Sequence, residues 1–219
     1  MDGARDVFMT GATGYMGRAL AARLIARGHR VRALVRPGSE SRLPAGCEPV
    51  RGDALDASTF AAGIRAADTF VQLVGVAHPS PAKAAQFRSI DLASARAGIE
   101  AARAAGVMHF VYVSVAHPAP VMKAYIAART EAEALLRASA LPATILRPWY
   151  VLGPGHRWPV VLAPAYWILE RFAPTREIAR RLGLVTLEQM VAALAASVEN
   201  PASGVRVLEV ADIRRAATA

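Results

Sequence analysis

The sequence predicts an α/β fold, a doubly wound parallel sheet with a small C-terminal lobe. Three observations carry that expectation. Short apolar runs alternate with segments of helical periodicity along most of the chain. The run Thr69 to Val74 is a near-continuous apolar stretch, as a strand covered on both faces requires. The first run opens into a glycine-rich turn that feeds a helical pattern directly.

In order, Val7 to Thr10 reads as a strand, and Tyr15 to Arg27 as a helix closed by Gly28. Arg30 to Val35 is the second strand, followed by a loop through Pro37, Gly38 and Pro44 and a short strand at Pro49 to Arg51. A helix is expected from near Asp56, then the strand at Thr69 to Val74, then one long helix from about Pro81 to Ala105. Strand His109 to Val113, helix Met122 to Ala138 and strand Thr144 to Arg147 continue the alternation. After Pro148 the character changes, with prolines at 154, 159, 164 and 174 and all three tryptophans between 149 and 167. A helix at Leu187 to Val198, capped by Thr186, and a strand at Val205 to Val210 close the pattern.

With 219 residues the chain is expected to be a single domain, 1–219, with 149–185 as a small substrate or lid segment. The apolar fraction of 54% is globular. Cys47 is the sole cysteine, which rules out an intrachain disulfide and a cysteine-built zinc site. Together with an acidic start lacking a secretory pattern, it leads to an expected cytoplasmic location. The net charge of +9 comes almost wholly from arginines spread over nearly every segment, so a nucleic-acid partner is not expected. A positive field does suit a phosphorylated small ligand.

Gly11, Gly14 and Gly17 stand three apart, directly after a strand and before a helix. The first permits the tight turn, the second lets backbone approach a pyrophosphate, and the third lets helix and strand pack closely. The helix N-terminus adds free N–H groups and a positive dipole end. This is the signature of a Rossmann-type dinucleotide site, expected to use Gly11, Thr13, Gly14, Tyr15, Met16 and Gly17. No acid occurs from Val7 to Ser39, where an NAD site would place one to hold the ribose 2′-hydroxyl. Arg36 stands there instead, with Arg32 and Arg42 nearby, and a guanidinium pairs with a 2′-phosphate. NADP(H) is therefore favoured over NAD(H). Asp53, with Ala54, is placed to meet the adenine, although an aspartate there also serves as a turn-former. Val74, Gly75 and Val76 end the fourth strand, where the glycine allows close passage of the nicotinamide side.

The motifs Thr10-Gly-Ala-Thr-Gly-Tyr-Met-Gly17, Gly52-Asp53, Tyr112-Val-Ser114, Tyr125-Ile-Ala-Ala-Arg129 and Leu146-Arg-Pro148, running into Val151-Leu-Gly-Pro-Gly155, resemble the atypical and extended short-chain dehydrogenase/reductase superfamily. That group includes NmrA-like proteins and nucleotide-sugar epimerase relatives. The resemblance implies that Ser114 and Tyr125 polarise and protonate a substrate oxygen. It also implies that position 129 holds the nicotinamide ribose, with Pro148 and Tyr150 completing the cofactor contacts. The family has lysine where this chain has Arg129, giving YxxxR in place of YxxxK. Arginine still favours a nearby phenolate but cannot deliver a proton.

Two functions follow: an NADP(H)-dependent oxidoreductase, or a non-catalytic NADP(H)-binding sensor, regulator or assembly factor of the NmrA-like type. The aromatic residues Trp149, Tyr150, Trp158, Tyr166, Trp167 and Phe172 are expected either to build the small lobe's core or to line an apolar pocket. Such a pocket suits a small carbonyl, enone, flavin or quinone-like acceptor. The apolar segment 159–169, followed by arginines, gives membrane or partner contact as a lesser alternative. His78, His117 and His156 fall in loops near the strand C-terminal ends, as surface histidines or as an acid or base. No metal site is expected, and no sequence signal sets an oligomeric state.

Overall fold

The computed structural model describes residues 3–65, 67–154 and 181–216. Seven strands form one parallel sheet: β1 (Asp6–Thr10), β2 (Arg30–Val35), β3 (Glu48–Arg51), β4 (Thr69–Gln72), β5 (His109–Val113), β6 (Ala143–Leu146) and β9 (Val205–Leu208). Their order is β3-β2-β1-β4-β5-β6-β9. The sheet is Rossmann-like, with the reversal of strand order between β1 and β4 that opens a crevice at the strands' C-terminal ends.

Alternation along the strands divides the core. Val7 and Met9 face one layer, packed with Leu20 and Leu24 of α1 (Tyr15–Ala26) and with Met190 and Leu194 of a C-terminal helix, Leu187–Glu199. Phe8 faces the other. The parallel register pairs Phe8 with Phe70 and Phe70 with Phe110, and their rings form a row with centroids 5.3 and 5.0 Å apart. This row is covered by α3 (Ala93–Ala104) and α4 (Lys123–Ala138).

Several elements differ from expectation for identifiable reasons. Near Asp56 the chain forms a 3-10 turn, Ala57–Thr59, capped by the Asp56 side chain, and only a short α2 (Ala61–Ile64). The span predicted as one helix is helical but composite. A 3-10 turn (Pro81–Lys83) and an α turn (Ala84–Gln86) lead into a π segment (Phe87–Leu92), and α3 follows. The wider π turn accompanies an inward Asp91, whose side chain is fully buried.

The helix Leu187–Glu199, α5, has the expected Thr186 cap as a full capping box with Gln189. β9 ends two residues early because Glu209 caps a further helix, α6 (Val210–Arg215). Two strands were not foreseen: β7 (Tyr150–Leu152) pairs in parallel with β8 (Leu184–Thr186). His156, Trp158, Tyr166, Trp167, Phe172 and the apolar segment 159–169 lie outside the described residues. Among the described residues no helix is long and apolar enough to cross a membrane.

Candidate cofactor and active site

The turn after β1 is built by its glycines. Gly11 has φ +73°, a left-handed conformation, and its carbonyl accepts from Gly14 N at 3.0 Å. A Cβ on Gly17 would press on the Gly11 carbonyl and stand 2.8 Å from Ala12 Cα, so α1 packs directly onto the turn. The helix begins at Tyr15 with Gly14 as its N-cap, no side-chain cap and no acid in its first turn. Its N-terminal N–H groups and dipole therefore suit a pyrophosphate.

Above this turn lies a cleft of about 530 Å³. Gly11, Thr13, Gly14, Arg36, Asp53, Ala54, Val74, Gly75 and Val76 all line it, bringing together most of the residues predicted to meet a cofactor. Arg36 is exposed at the end of β2, beside Ser39. Arg32 instead donates to the Gly63 carbonyl at 2.6 Å and serves the fold. Asp53 combines both of its readings: it lines the cleft while Oδ1 accepts from Leu55 N at 3.0 Å. Lys83, which the sequence did not single out, also lines the cleft and donates to the carbonyls of Ala77 and His78.

Met16, Tyr15 and Gly17 lie away from the cleft lining. Met16 packs on the core, and Tyr15 sits against Gly153. Pro148 is buried, its carbonyl accepting from Ala116 N, and Tyr150 is half-buried in β7.

Behind the cleft wall at Gly75 and Val76 lies a cluster of buried charge, and Tyr125 and Arg129, predicted to act on substrate and cofactor, belong to it and not to the cleft lining. Tyr125 and Arg129 share one face of α4, as their spacing predicts. Arg129 is 5% exposed. Its Nη2 donates to Asp91 Oδ1 at 2.6 Å and its Nη1 to the Val113 carbonyl at 2.7 Å. The guanidinium carbon lies 5.2 Å from the Tyr125 ring centroid and 5.8 Å from that of Tyr112. Phe87 packs on Tyr125 from the π segment, ring centroids 5.0 Å apart. Asp91 also accepts from Val76 N at 3.0 Å, tying the cleft wall to this cluster. Burial pushes the Asp91 carboxyl above the usual aspartate value, against the pull of Arg129. Burial likewise pushes the Tyr112 phenol up to about 12.

Ser114 does not line the cleft. It is 2% exposed, with its hydroxyl enclosed beside Glu133. Glu133 receives a fork from Arg147, at 2.9 and 2.5 Å, and lies 3.6 Å from His117 Nε2. Burial would raise the Glu133 carboxyl, but Arg147 and Ser114 hold it below the usual glutamate value. His78 is exposed in the loop after β4. No group of metal-ligating side chains occurs among the described residues.

Sequence reasoning missed Asp91 and Glu133, and it quoted Tyr112 only as part of the Tyr112-Val-Ser114 motif, without a role. A usable signal existed for Glu133, because Tyr125, Arg129, Glu133 and Arg137 recur at i,i+4 along one helix face. Asp91 had only the signal of an acid flanked by Ile90 and Leu92.

The NAD(P)H-binding family model matches residues 11–161, spanning the glycine turn, the cleft and the Tyr125–Arg129 helix. The chain belongs to this NAD(P)H-binding family. Among curated proteins it is similar to a ceramide reductase of Caulobacter vibrioides, 30% identical over 95% of this chain and 65% of that protein. It thus spans just under two thirds of that relative's length. It is also similar to a 3-diazoavenalumate denitrifying reductase of Streptomyces, 30% identical over 90% of this chain and 73% of that protein.

Among solved structures it resembles the Bordetella bronchiseptica enzyme WbmH in complex with NAD+. The TM-score is 0.71 and the identity 20%, covering 94% of this chain and 76% of that one. A UDP-galactose 4-epimerase matches with TM-score 0.69 and 19% identity, over 96% of this chain and 81% of that one. The fold resembles that of the short-chain dehydrogenase/reductases, as expected, and the chain is an NAD(P)-binding protein whose curated relatives are named as reductases.

Proposed function

We propose that the protein is an NADP(H)-dependent reductase acting on a small apolar carbonyl, enone, flavin or quinone-like acceptor. The observation that carries this is one cleft that runs from the glycine turn, past exposed Arg36, to Gly75; directly behind Gly75 lies Arg129, with the Tyr125 ring on its guanidinium, although neither side chain lines the cleft. The glycines and the α1 N-terminus receive the pyrophosphate, and Asp53 and Ala54 face the adenine. Arg36 pairs with the 2′-phosphate, in a strand end that offers no acid to a free hydroxyl.

Bound in this cleft, a reduced nicotinamide would supply the hydride that the substrate carbon takes up. Tyr125 gives its hydroxyl proton to the substrate oxygen, so a carbonyl becomes an alcohol, and the phenolate regains a proton from water. Arg129, which neither gives nor takes protons, acts as a fixed charge. Ser114 enters this scheme only through its contact with Glu133. A reduction is supported by relatives named as a ceramide reductase and as a 4-hydroxy-2-methyl-3-oxo-4-farnesyl-3,4-dihydroquinoline-1-oxide ketoreductase.

A second reading, cofactor binding without turnover, is favoured by the engagement of Arg129 with Asp91 and by the enclosed Ser114 hydroxyl. NADPH consumption across a panel of carbonyl, enone, flavin and quinone acceptors separates the two. Turnover above background in wild type that falls at least about 100-fold in Tyr125→Phe supports the reductase, a loss within the usual range for a proton donor. Equal background rates in both proteins, with NADPH still bound, would leave the binding-only reading.

A further inference from the structure

Arg129 sits where the family resemblance places a ribose-holding cation, yet its side chain is turned inward, 6% exposed, and both terminal nitrogens are committed. Asp91 accounts for that commitment. It arrives from the π segment, 38 residues earlier in sequence, and its own side chain is fully buried. Its two carboxylate oxygens divide the work: Oδ1 takes Arg129 and Oδ2 takes Val76 N at the cleft wall. Gly75 leaves the space this needs, since a Cβ there would run into the guanidinium and stand 3.1 Å from Asp91 Oδ1.

The titratable and charged groups gathered around Tyr125 are Arg129 from its own helix, Asp91 from the π segment and Tyr112 from β5. Arg88, exposed, and Glu131, half-buried, are paired across the same two elements at 3.1 Å. An unopposed guanidinium beside a phenol would favour the phenolate, whereas a guanidinium in contact with a carboxylate presents little net charge.

Resting on the reductase reading, we propose that Asp91 is a positioning residue of the site. It draws Arg129 behind Gly75, out of the cofactor cleft, and cancels the guanidinium charge beside Tyr125. The arginine is thereby a compensated wall of the site rather than a ligand of the ribose.

The test follows the sign of a shift. Turnover is measured from neutral to alkaline pH in the full chain for wild type, Asp91→Asn, Arg129→Met and the double variant Asp91→Leu/Arg129→Met. Asp91→Asn leaves the guanidinium unopposed, so the alkaline limb of kcat moves down by about one pH unit. Arg129→Met leaves the carboxylate unopposed, so the limb moves up. The double variant removes both charges, and its limb returns close to that of wild type, whatever its rate.

A merely structural pair would lower rates without opposed shifts. Unmoved limbs, or limbs displaced in the same direction in both single variants, would overturn the proposal. Should one single variant not fold, the other compared with the double variant decides by the same sign. The same series, read by ultraviolet tyrosinate absorbance without cofactor and with Tyr125→Phe as the blank, should show the same opposed displacements. If wild type reduces no acceptor, the reductase reading fails alone, and the absorbance series still decides the role of Asp91.

Discussion

The glycine end of the cleft and the Tyr125 cluster behind its other end are made of different materials. At the glycine turn the working parts are backbone N–H groups, a helix terminus and absent side chains, all contributed by residues 10–17. At the Tyr125 end they are buried ions and rings contributed by the π segment, β5 and α4. The first arrangement is local, and its cost is set by conformational freedom. The second is assembled only by the tertiary fold, and each charge depends on its partner for solvation. Substitutions should therefore be felt as stability at the Tyr125 end and as affinity at the Arg36 end.

The largest effect should come from orphaning a charge. Asp91→Ala leaves Arg129 buried without its carboxylate, and the expected loss is about 3–5 kcal/mol in urea unfolding, as for other broken buried pairs. Asp91→Leu/Arg129→Met should recover most of that loss, because an apolar pair of similar volume needs no compensation. A loss below about 1 kcal/mol in the single variant would match an exposed pair and erase the contrast between the two ends.

Next in size is a pH effect on the same strand that carries Tyr112. His109, at the opposite end of β5, is fully buried with Nε2 3.0 Å from Thr144 Oγ1. Burial, reinforced by Arg206 and Arg5, pulls its pKa down from 6.5 to about 4. The unfolded chain takes up this proton first as pH falls, so the stability is complete above the unfolded value. It is lost between pH 6.5 and about 4, by roughly 3 kcal/mol. Below that window both states are protonated and the loss stops growing. His109→Gln should remove this component, and subtracting the two pH profiles separates it from the carboxylates, Glu133 among them, whose lowered values act below about 4.5. Parallel profiles would place the acid sensitivity elsewhere.

How much could be read in advance follows the same division. Gly11, Gly14 and Gly17 announce their function in sequence because backbone geometry admits few other residues there, and the fold order follows from periodicity. Strand β5 was read to the residue, His109–Val113, and the Thr186 cap was found because capping is a local interaction. Asp91 could not be assigned in this way. Its role depends on a π turn, which leaves no periodicity signal, and on a partner 38 positions away. Ser114 shows the converse: a motif position sufficed to nominate it, while the tertiary fold encloses its hydroxyl beside Glu133 and away from the cleft. Strands β7 and β8 escaped because three-residue pairs carry too few alternations to register as strands.

The smallest effect is the sharpest test of the open end. Arg36 is exposed and Arg51 is already paired with Glu40 at 2.7 Å, so Arg36→Ala should leave unfolding free energy within about 0.5 kcal/mol of wild type. Its consequence should appear only when a 2′-phosphate is present. A charge-assisted pair of this kind contributes about 1.5–3 kcal/mol, so NADPH affinity should fall roughly tenfold or more while NADH affinity changes little. Isothermal titration of both cofactors against both proteins reads the difference directly. Equal losses for the two cofactors would mean that Arg36 supports the cleft generally. An unchanged NADPH affinity would remove the basis for NADP(H) preference, leaving the glycine turn as a binder of either dinucleotide.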